Sequence, residues 1–163
     1  MKKIVLTLLM ALGISQSAFA GVHEGVEAYK RGDYAKALHE WKPAAEQGHG
    51  EAQFRLGLMY AYGKGVHMYP KQAVPWFRKS ADQGNSDGQH YMGEAYFLGA
   101  GVQRDYKQAL YWYRLAAEQG NPNSQLSLGI MNGTARGVPQ NLPKAYMWFD
   151  EVDPVVWTAM RSS

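Results

Sequence analysis

The chain has 163 residues, of which 17 are Lys or Arg and 14 are Asp or Glu, and it contains no cysteine. Without cysteine it has no disulfide, no thiolate metal site and no thiol nucleophile. Its histidines show none of the spacings that hold a metal on one helix face, so the sequence predicts no metal and no cofactor. These histidines are His23, His39, His49, His67 and His90.

Residues 1–20 have the features of a secretory signal peptide. Lys2 and Lys3 precede an apolar stretch from Ile4 to Ile14, and Ala18-Phe19-Ala20 forms a small-x-small cleavage site. The apolar stretch is shorter than the ~20 residues that a membrane span needs, so a permanent anchor is disfavoured. We predict cleavage after Ala20, a periplasmic or secreted location, and no membrane insertion of the mature chain.

Signal removal also changes the charge balance of the protein. The mature chain keeps 15 basic and 14 acidic residues, and no basic run is longer than a pair. A basic patch is the electrostatic footprint of nucleic-acid binding. The sequence therefore predicts no nucleic-acid partner.

The mature chain repeats itself every 36 residues. Units of this length begin at Ala44, Ser80 and Ala116, which gives repeats over 44–79, 80–115 and 116–151. A leading short repeat over 21–43 comes before them, and a tail over 152–163 follows. Fixed-period similarity indicates stacked supersecondary units, whose terminal repeats need a cap. We expect Val155, Val156, Trp157 and Met160 to cover the last repeat; the alternative is end-to-end pairing of two copies.

Each unit is predicted to hold a first helix, A, a glycine-containing loop and a second helix, B. The A helices are predicted over Glu51–Ala61, Asp87–Leu98 and Asn123–Asn132. Asn121 can cap the third A helix, with Pro122 at its first position, and Asp33, Asp105 and Asn141 can cap B helices, whereas Tyr69 cannot. Two of the five histidines, His49 and His67, fall in predicted turns and are expected to be solvated.

Two prolines fall inside predicted B helices. Proline removes a backbone hydrogen bond and clashes with the preceding turn of a helix. We therefore predict that the first B helix ends near Lys42, before Pro43, with Ala44–Gln47 as a separate short turn. Near Pro75 we predict a bend at Val74.

Small and aromatic residues recur in register. Gly57, Gly93 and Gly129 are expected where two helices approach closely, against B-helix stripes such as Ala109, Trp112 and Tyr113. The loop glycines are expected to adopt positive φ. The third unit departs from this pattern at Asn132 and Ala135, where the corner is expected to be less regular. The recurring glutamines Gln53, Gln89 and Gln125 either satisfy backbone groups between repeats or form a polar ladder.

The recurring pattern A-x-x-x-L-G-x-x-Y-x-x-G-x-G-V, which runs from Ala52 to Val66, resembles the Sel1-like repeat family. Ala73, Trp76, Phe77, Ala81 and Gly84 continue the resemblance. It covers nearly the whole mature chain. It implies an all-α, right-handed α/α solenoid of helix-turn-helix repeats, related to tetratricopeptide repeats, with the A helices lining a concave groove.

A binding site is expected where A-helix residues differ between units, since the fold does not dictate those positions. Aromatic residues and Arg are common binding hot spots. The predicted partner-binding residues are Phe54, Arg55, Tyr62, His90, Tyr91 and Glu94. The alternative is that some of them pack between repeats or form ordinary surface.

No catalytic constellation is present in the sequence, which lacks a Gly-x-Ser-x-Gly elbow and a phosphate-binding loop. The leading hypothesis is a non-catalytic exported scaffold that binds a protein or peptide in its groove. A narrower alternative, implied by the resemblance, is an immunity protein that neutralises an exported antibacterial toxin such as a lipase. A third is a β-lactam-binding or hydrolysing enzyme, but the family members so described carry cysteine pairs that this chain lacks.

Overall fold

The computed structural model describes residues 21–152, which form helices joined by short turns, with no strand in this range. The predicted signal peptide and most of the predicted capping tail lie outside the described residues. In chain order the helices are α1 (residues 21–30), α2 (Tyr34–Glu46), α3 (Gly50–Tyr62), α4 (Pro70–Asp82), α5 (Ser86–Leu98), α6 (Tyr106–Glu118), α7 (Pro122–Gly133) and α8 (Leu142–Val152). The A helices are α1, α3, α5 and α7; the B helices are α2, α4, α6 and α8.

The three predicted A helices begin and end within one residue of α3, α5 and α7. The predicted caps are confirmed, since the side chains of Asp33, Asp105, Asn121 and Asn141 each accept a hydrogen bond from a backbone N–H in the first turn of the helix that follows. The prediction of a solvated His49 is wrong. This half-buried side chain caps α3, with its Nδ1 accepting from the backbone N–H of Ala52 at 3.4 Å.

The predicted end of the first B helix at Lys42 is also wrong. Helix α2 continues through Pro43 to Glu46. Pro43 is exposed, whereas Ala44 and Ala45 are 2% and 1% exposed and belong to a core cluster with Ala52 and Leu56. Burial of the residues beyond the proline therefore outweighs the one hydrogen bond that it removes. Pro75 likewise lies inside an uninterrupted α4, and the bend at Val74 stays a prediction.

The chain divides into two compact units between Trp76 and Phe77. In the first unit, Trp41 is 1% exposed and packs with Ala28, Ala37 and Met59. In the second unit, one cluster of buried residues brings together α6 and α7. Its members are Ala109, Leu110, Tyr113, Ala117, Leu128 and Met131.

Glycine lets A and B helices approach closely, as predicted for Gly93 and Gly129. A Cβ at Gly93 would lie 2.5 Å from Cδ1 of Tyr113, and a Cβ at Gly129 would overlap the ring of Phe149. The leading unit uses the same arrangement, because Gly25 lies against the indole of Trp41. These rings replace the volume that a side chain on the A helix would occupy.

The loop after each A helix turns through a residue with positive φ. Gly63 and Gly99 take φ of 65° and 75° at this position, and Ala135 takes 58° in the third unit. The third corner therefore keeps the backbone conformation of the others, although alanine is strained there. Among residues 21–152, no helix is both long and apolar enough to cross a membrane.

Candidate functional site

Three of the predicted binding residues lie on α3, in the first unit. Phe54 is 5% exposed and so offers little surface, whereas Tyr62 at the helix end is 53% exposed. Arg55 is half-buried, and its Nε donates to Glu51 at 2.7 Å. Its guanidinium also lies near the rings of Trp41 and Phe54. Arg55 is therefore largely occupied within its own unit, which leaves Tyr62 as the most accessible of the three.

The other three predicted residues lie together on α5, in the second unit. Tyr91 is half-buried and stacks on Phe77, with ring centroids 5.0 Å apart. His90 is 7% exposed and contacts the rings of Tyr91 and Tyr113. Glu94 stands one turn further along and keeps 40% of its side chain exposed. Of these three residues, Glu94 has the largest exposed fraction of its side chain.

His90 connects α5 to α7. Its Nδ1 lies 2.9 Å from the hydroxyl of Ser124, and its Nε2 lies 4.0 Å from Glu94 Oε1. Burial lowers the pKa of His90, with the nearby charge of Asp87 partly opposing this effect, so the ring is neutral at pH 7. Ser124 is 0% exposed and cannot reach a substrate. The contact between Ser124 and His90 therefore joins two helices, and the buried hydroxyl is not placed to act as a nucleophile.

The Glu94 carboxylate lies near His90 on α5 and Tyr113 on α6. Burial raises the pKa of its carboxyl group. Tyr113 lies beside it, and burial together with the Glu94 charge raises the pKa of the Tyr113 phenol, which forms a hydrogen bond with Ser127 on α7. A carboxylate is thus held in a partly desolvated position, where ionisation is less favourable than in water.

Sequence reasoning selected aromatic and charged residues and so passed over three exposed aliphatic side chains on α5 and α7. Leu98 on α5 is 65% exposed, and Leu126 and Ile130 on α7 are 43% and 41% exposed. They occupy the same variable A-helix positions as Tyr62, Phe54 and Leu58, which is the signal that could have identified them.

The repeated glutamines are structural, and the first of the two predicted roles is confirmed. The side-chain amides of Gln53, Gln89 and Gln125 donate to the carbonyls of Ala45, Ala81 and Ala117 at 3.1, 3.3 and 3.5 Å. Each bond joins an A helix to the end of the preceding B helix. Within residues 21–152, no group of three His, Asp or Glu side chains is placed to hold a metal ion.

Comparison with known proteins places four repeats in this chain. The sequence matches the Sel1 repeat over residues 18–49, 50–85, 86–121 and 122–151. The last three matches begin six residues after the predicted starts at 44, 80 and 116 and keep the 36-residue period, whereas the first begins at residue 18 and the last ends at the predicted residue 151. No curated protein matches the chain.

Two solved structures resemble this one closely. One is c5321, a protective antigen present in uropathogenic Escherichia coli strains, with 39% identity, a TM-score of 0.80, and coverage of 86% of this chain and 31% of that protein. The other is a Sel1 repeat protein from Oxalobacter formigenes, with 28% identity, a TM-score of 0.77, and coverage of 82% and 53%. This chain therefore spans about a third of the first protein and half of the second. The matches confirm the predicted fold class, an all-α solenoid of helix-turn-helix repeats.

Proposed function

This chain belongs to the Sel1 repeat family, and we propose that it is a non-catalytic scaffold that binds a protein or peptide through the groove predicted along its A helices. Sel1 repeats generally mediate protein–protein interactions. The identity of a partner does not follow from family membership, so the proposal depends on features of this chain.

One observation carries the proposal. Positions that hold the repeats together recur from unit to unit, as Gln53, Gln89 and Gln125 do, whereas the exposed A-helix positions change. At those changing positions the chain presents large apolar side chains to solvent, among them Tyr62 and Leu98 at 53% and 65% exposure. Exposed apolar side chains are typical of interaction sites, although the described B helices carry them as well, at Tyr111, Leu142 and Met147.

Site-specific photo-crosslinking in cells can test which surface meets the partner. A photoreactive phenylalanine analogue would replace Leu98 on A helix α5 or, as a matched control, Tyr111 on B helix α6, which is 54% exposed. We expect discrete crosslinked proteins from position 98 and none of the same proteins from position 111. Identical crosslinked species from both positions, or none from position 98, would contradict binding through the A helices.

Export is a further part of the proposal, supported by Lys2, Lys3 and the small residues that precede Gly21. Mass spectrometry of the protein from fractionated cells checks it. We expect a chain that begins at Gly21 in the periplasmic or secreted fraction; a full-length chain confined to the cytoplasm would contradict export. An immunity role is a narrower form of the same scaffold function, and survival of cells that co-express a toxin from a neighbouring gene would distinguish it.

A further inference from the structure

A cleft of about 420 Å³ lies between the B helix α6 and the loop that leads from α7 to α8. The loop contributes Gly137 and the half-buried Val138. The residues from α6 follow helical spacing and so lie along one side of that helix. We call this the α6 cleft; its α6 residues are Lys107, Leu110, Tyr111, Arg114, Leu115 and Glu118.

Arg114 lines this cleft without a partner. One repeat earlier, Arg78 holds the same position, and its guanidinium lies 4.7 Å from the Trp112 ring centroid and donates to the hydroxyl of Tyr96 at 3.1 Å. The position of Tyr96 is taken by Asn132 in the next repeat, and the buried Asn132 side chain donates to a backbone carbonyl of α7 at 2.7 Å. Arg114 therefore lacks the hydroxyl that engages Arg78, and among the described residues its side chain has no hydrogen bond, ion pair or ring contact.

An equivalent cleft on α2 shows what is specific to α6. It also has a volume of about 420 Å³, and its residues lie two 36-residue periods before those that α6 contributes. The cation and the carboxylate near the end of the helix recur there, as Lys42 and Glu46. The position of Lys107, however, is held by Ala35. Two Lys or Arg side chains thus accompany one carboxylate in the α6 cleft, whereas the α2 cleft has one of each.

The apolar part of the α6 cleft is fixed by packing. Leu110 is 5% exposed, and Val138 packs against the same buried cluster of α6 and α7 to which Leu110 belongs. The loop approaches α6 closely, since a Cβ at Gly137 would lie 2.5 Å from the Cβ of Tyr106. A ligand would therefore meet a preformed apolar floor and would lose little free energy in ordering it.

We propose that the α6 cleft binds a peptide segment in which Asp or Glu residues flank an apolar side chain. The carboxylates would meet Arg114 and Lys107, and the apolar side chain would lie on Leu110 and Val138. An unpaired guanidinium suits a carboxylate, with which it can form two parallel hydrogen bonds. Charge complementarity disfavours a basic segment, because the two cations outnumber the one carboxylate, Glu118. This inference goes beyond the proposed function, since it gives a B helix a ligand different from the partner of the A helices.

Subtractive panning of a random peptide display library on the purified protein tests the proposal. The library would first be depleted on Arg114→Gln and then selected on the wild type, so that the recovered peptides require the guanidinium. We expect these peptides to carry Asp or Glu beside Leu, Ile, Val, Phe or Met. The matched control is depletion on Arg104→Gln, which removes an exposed cation that does not line the cleft. Depletion on this variant should leave no peptide enriched.

Fluorescence anisotropy would then measure the best peptide and a version in which its Asp and Glu are replaced by Asn and Gln. Arg114→Gln should weaken binding of the acidic peptide by about tenfold, as expected for the loss of one charge-assisted pair, and should affect the amide peptide much less. Lys107→Gln should weaken the acidic peptide by a smaller factor. Glu118→Gln should tighten its binding, because this change removes a carboxylate from the cleft. Thermal unfolding of each variant establishes that the changes do not arise from unfolding.

The outcomes are separate from those that test the A helices. The proposal is overturned if no peptide survives depletion on Arg114→Gln, or if the surviving peptides lack Asp and Glu. An acidic peptide that binds Glu118→Gln more weakly than the wild type would also contradict it. None of these results bears on the proposed scaffold function, which is tested by the crosslinks from position 98.

Discussion

Helices α5 and α7 hold the same place in two successive repeats of the second unit, but only part of their sequence is shared. Gln89 and Gln125 both donate to the end of the preceding B helix, and Gly93 and Gly129 both lie against an aromatic ring. Elsewhere the helices differ, since Glu94 in α5 corresponds to Ile130 in α7. The shared positions hold the helices together, and at the differing positions the two repeats present different surfaces.

A second pair of differences involves one residue on each helix, and these two residues contact each other. His90 corresponds to Leu126, and Ser124 corresponds to Gly88, yet His90 and Ser124 are hydrogen-bonded to each other. Two departures from the repeat thus compensate one another, because each buried polar group satisfies the other. Repeat proteins can in this way accommodate a local polar pair without changing the helical register.

The largest change in the free energy of unfolding is expected at a glycine shared by the two repeats. Gly93→Ala should lower the free energy of unfolding by about 2–3 kcal/mol, because the new methyl group would overlap the Tyr113 ring. Gly133→Ala is the matched control within α7, since its Cβ would lie at an ordinary 3.7 Å from Ala145. Chemical denaturation measures both. Equal stability of the two variants would show that close approach is not what selects glycine at position 93.

The coupled pair should give the next largest effect. His90→Leu alone leaves the Ser124 hydroxyl buried without a partner, and Ser124→Ala does the same to the imidazole, each at about 1–2 kcal/mol. The double variant should be more stable than the sum of the two losses predicts, by about 1 kcal/mol. Additive losses in a double-mutant cycle would contradict the coupling.

The same pair has a predicted pH dependence. Burial holds the pKa of His90 below its ordinary value of 6.5 in the folded chain. As the pH falls below 6.5, the unfolded chain binds the proton first, so this contribution to the free energy of unfolding declines until the folded pKa is reached. His90→Leu should remove that part of the decline. Parallel stability profiles of wild type and variant between pH 7 and pH 5 would contradict a buried neutral histidine.

A smaller effect is expected at the loop that follows each helix. Ala135→Gly should raise the free energy of unfolding by about 1 kcal/mol, because glycine adopts φ of 58° without the strain that alanine bears. The reciprocal change, Gly99→Ala, should destabilise the protein by a similar amount. If both changes shifted the denaturation midpoint in the same direction, left-handed strain would not explain the difference between the two corners.

The smallest stability effect is expected at Glu94. Burial raises its pKa in the folded chain, so stability is lost as the pH rises from the ordinary value of 4.5 through the folded value. Glu94→Gln should therefore be slightly more stable than the wild type at pH 7, and this advantage should vanish near pH 4. A variant less stable than the wild type at pH 7 would mean that the ionised carboxylate contributes to stability.

Much of the fold could be predicted from the sequence because helical periodicity, capping residues and the 36-residue period all depend on neighbouring residues. The caps at Asp33, Asp105, Asn121 and Asn141 illustrate this, since each needs only a short polar side chain before a helix. Pro43 shows where local reasoning was wrong. The helix continues past it because Ala44 and Ala45 pack against α3, a contact that the local sequence does not contain.

The candidate site was less predictable for the same reason. The sequence by itself determined the period, the helices and the positions that vary between repeats. The tertiary structure decided which variable positions reach solvent: Phe54 and His90 are buried, whereas Leu98 and Ile130 are exposed. Residue type alone had favoured Phe54 and His90 as binding residues over Leu98 and Ile130. It could not give their exposure, because exposure depends on the distance between packed helices and on which side chains fill the space between them.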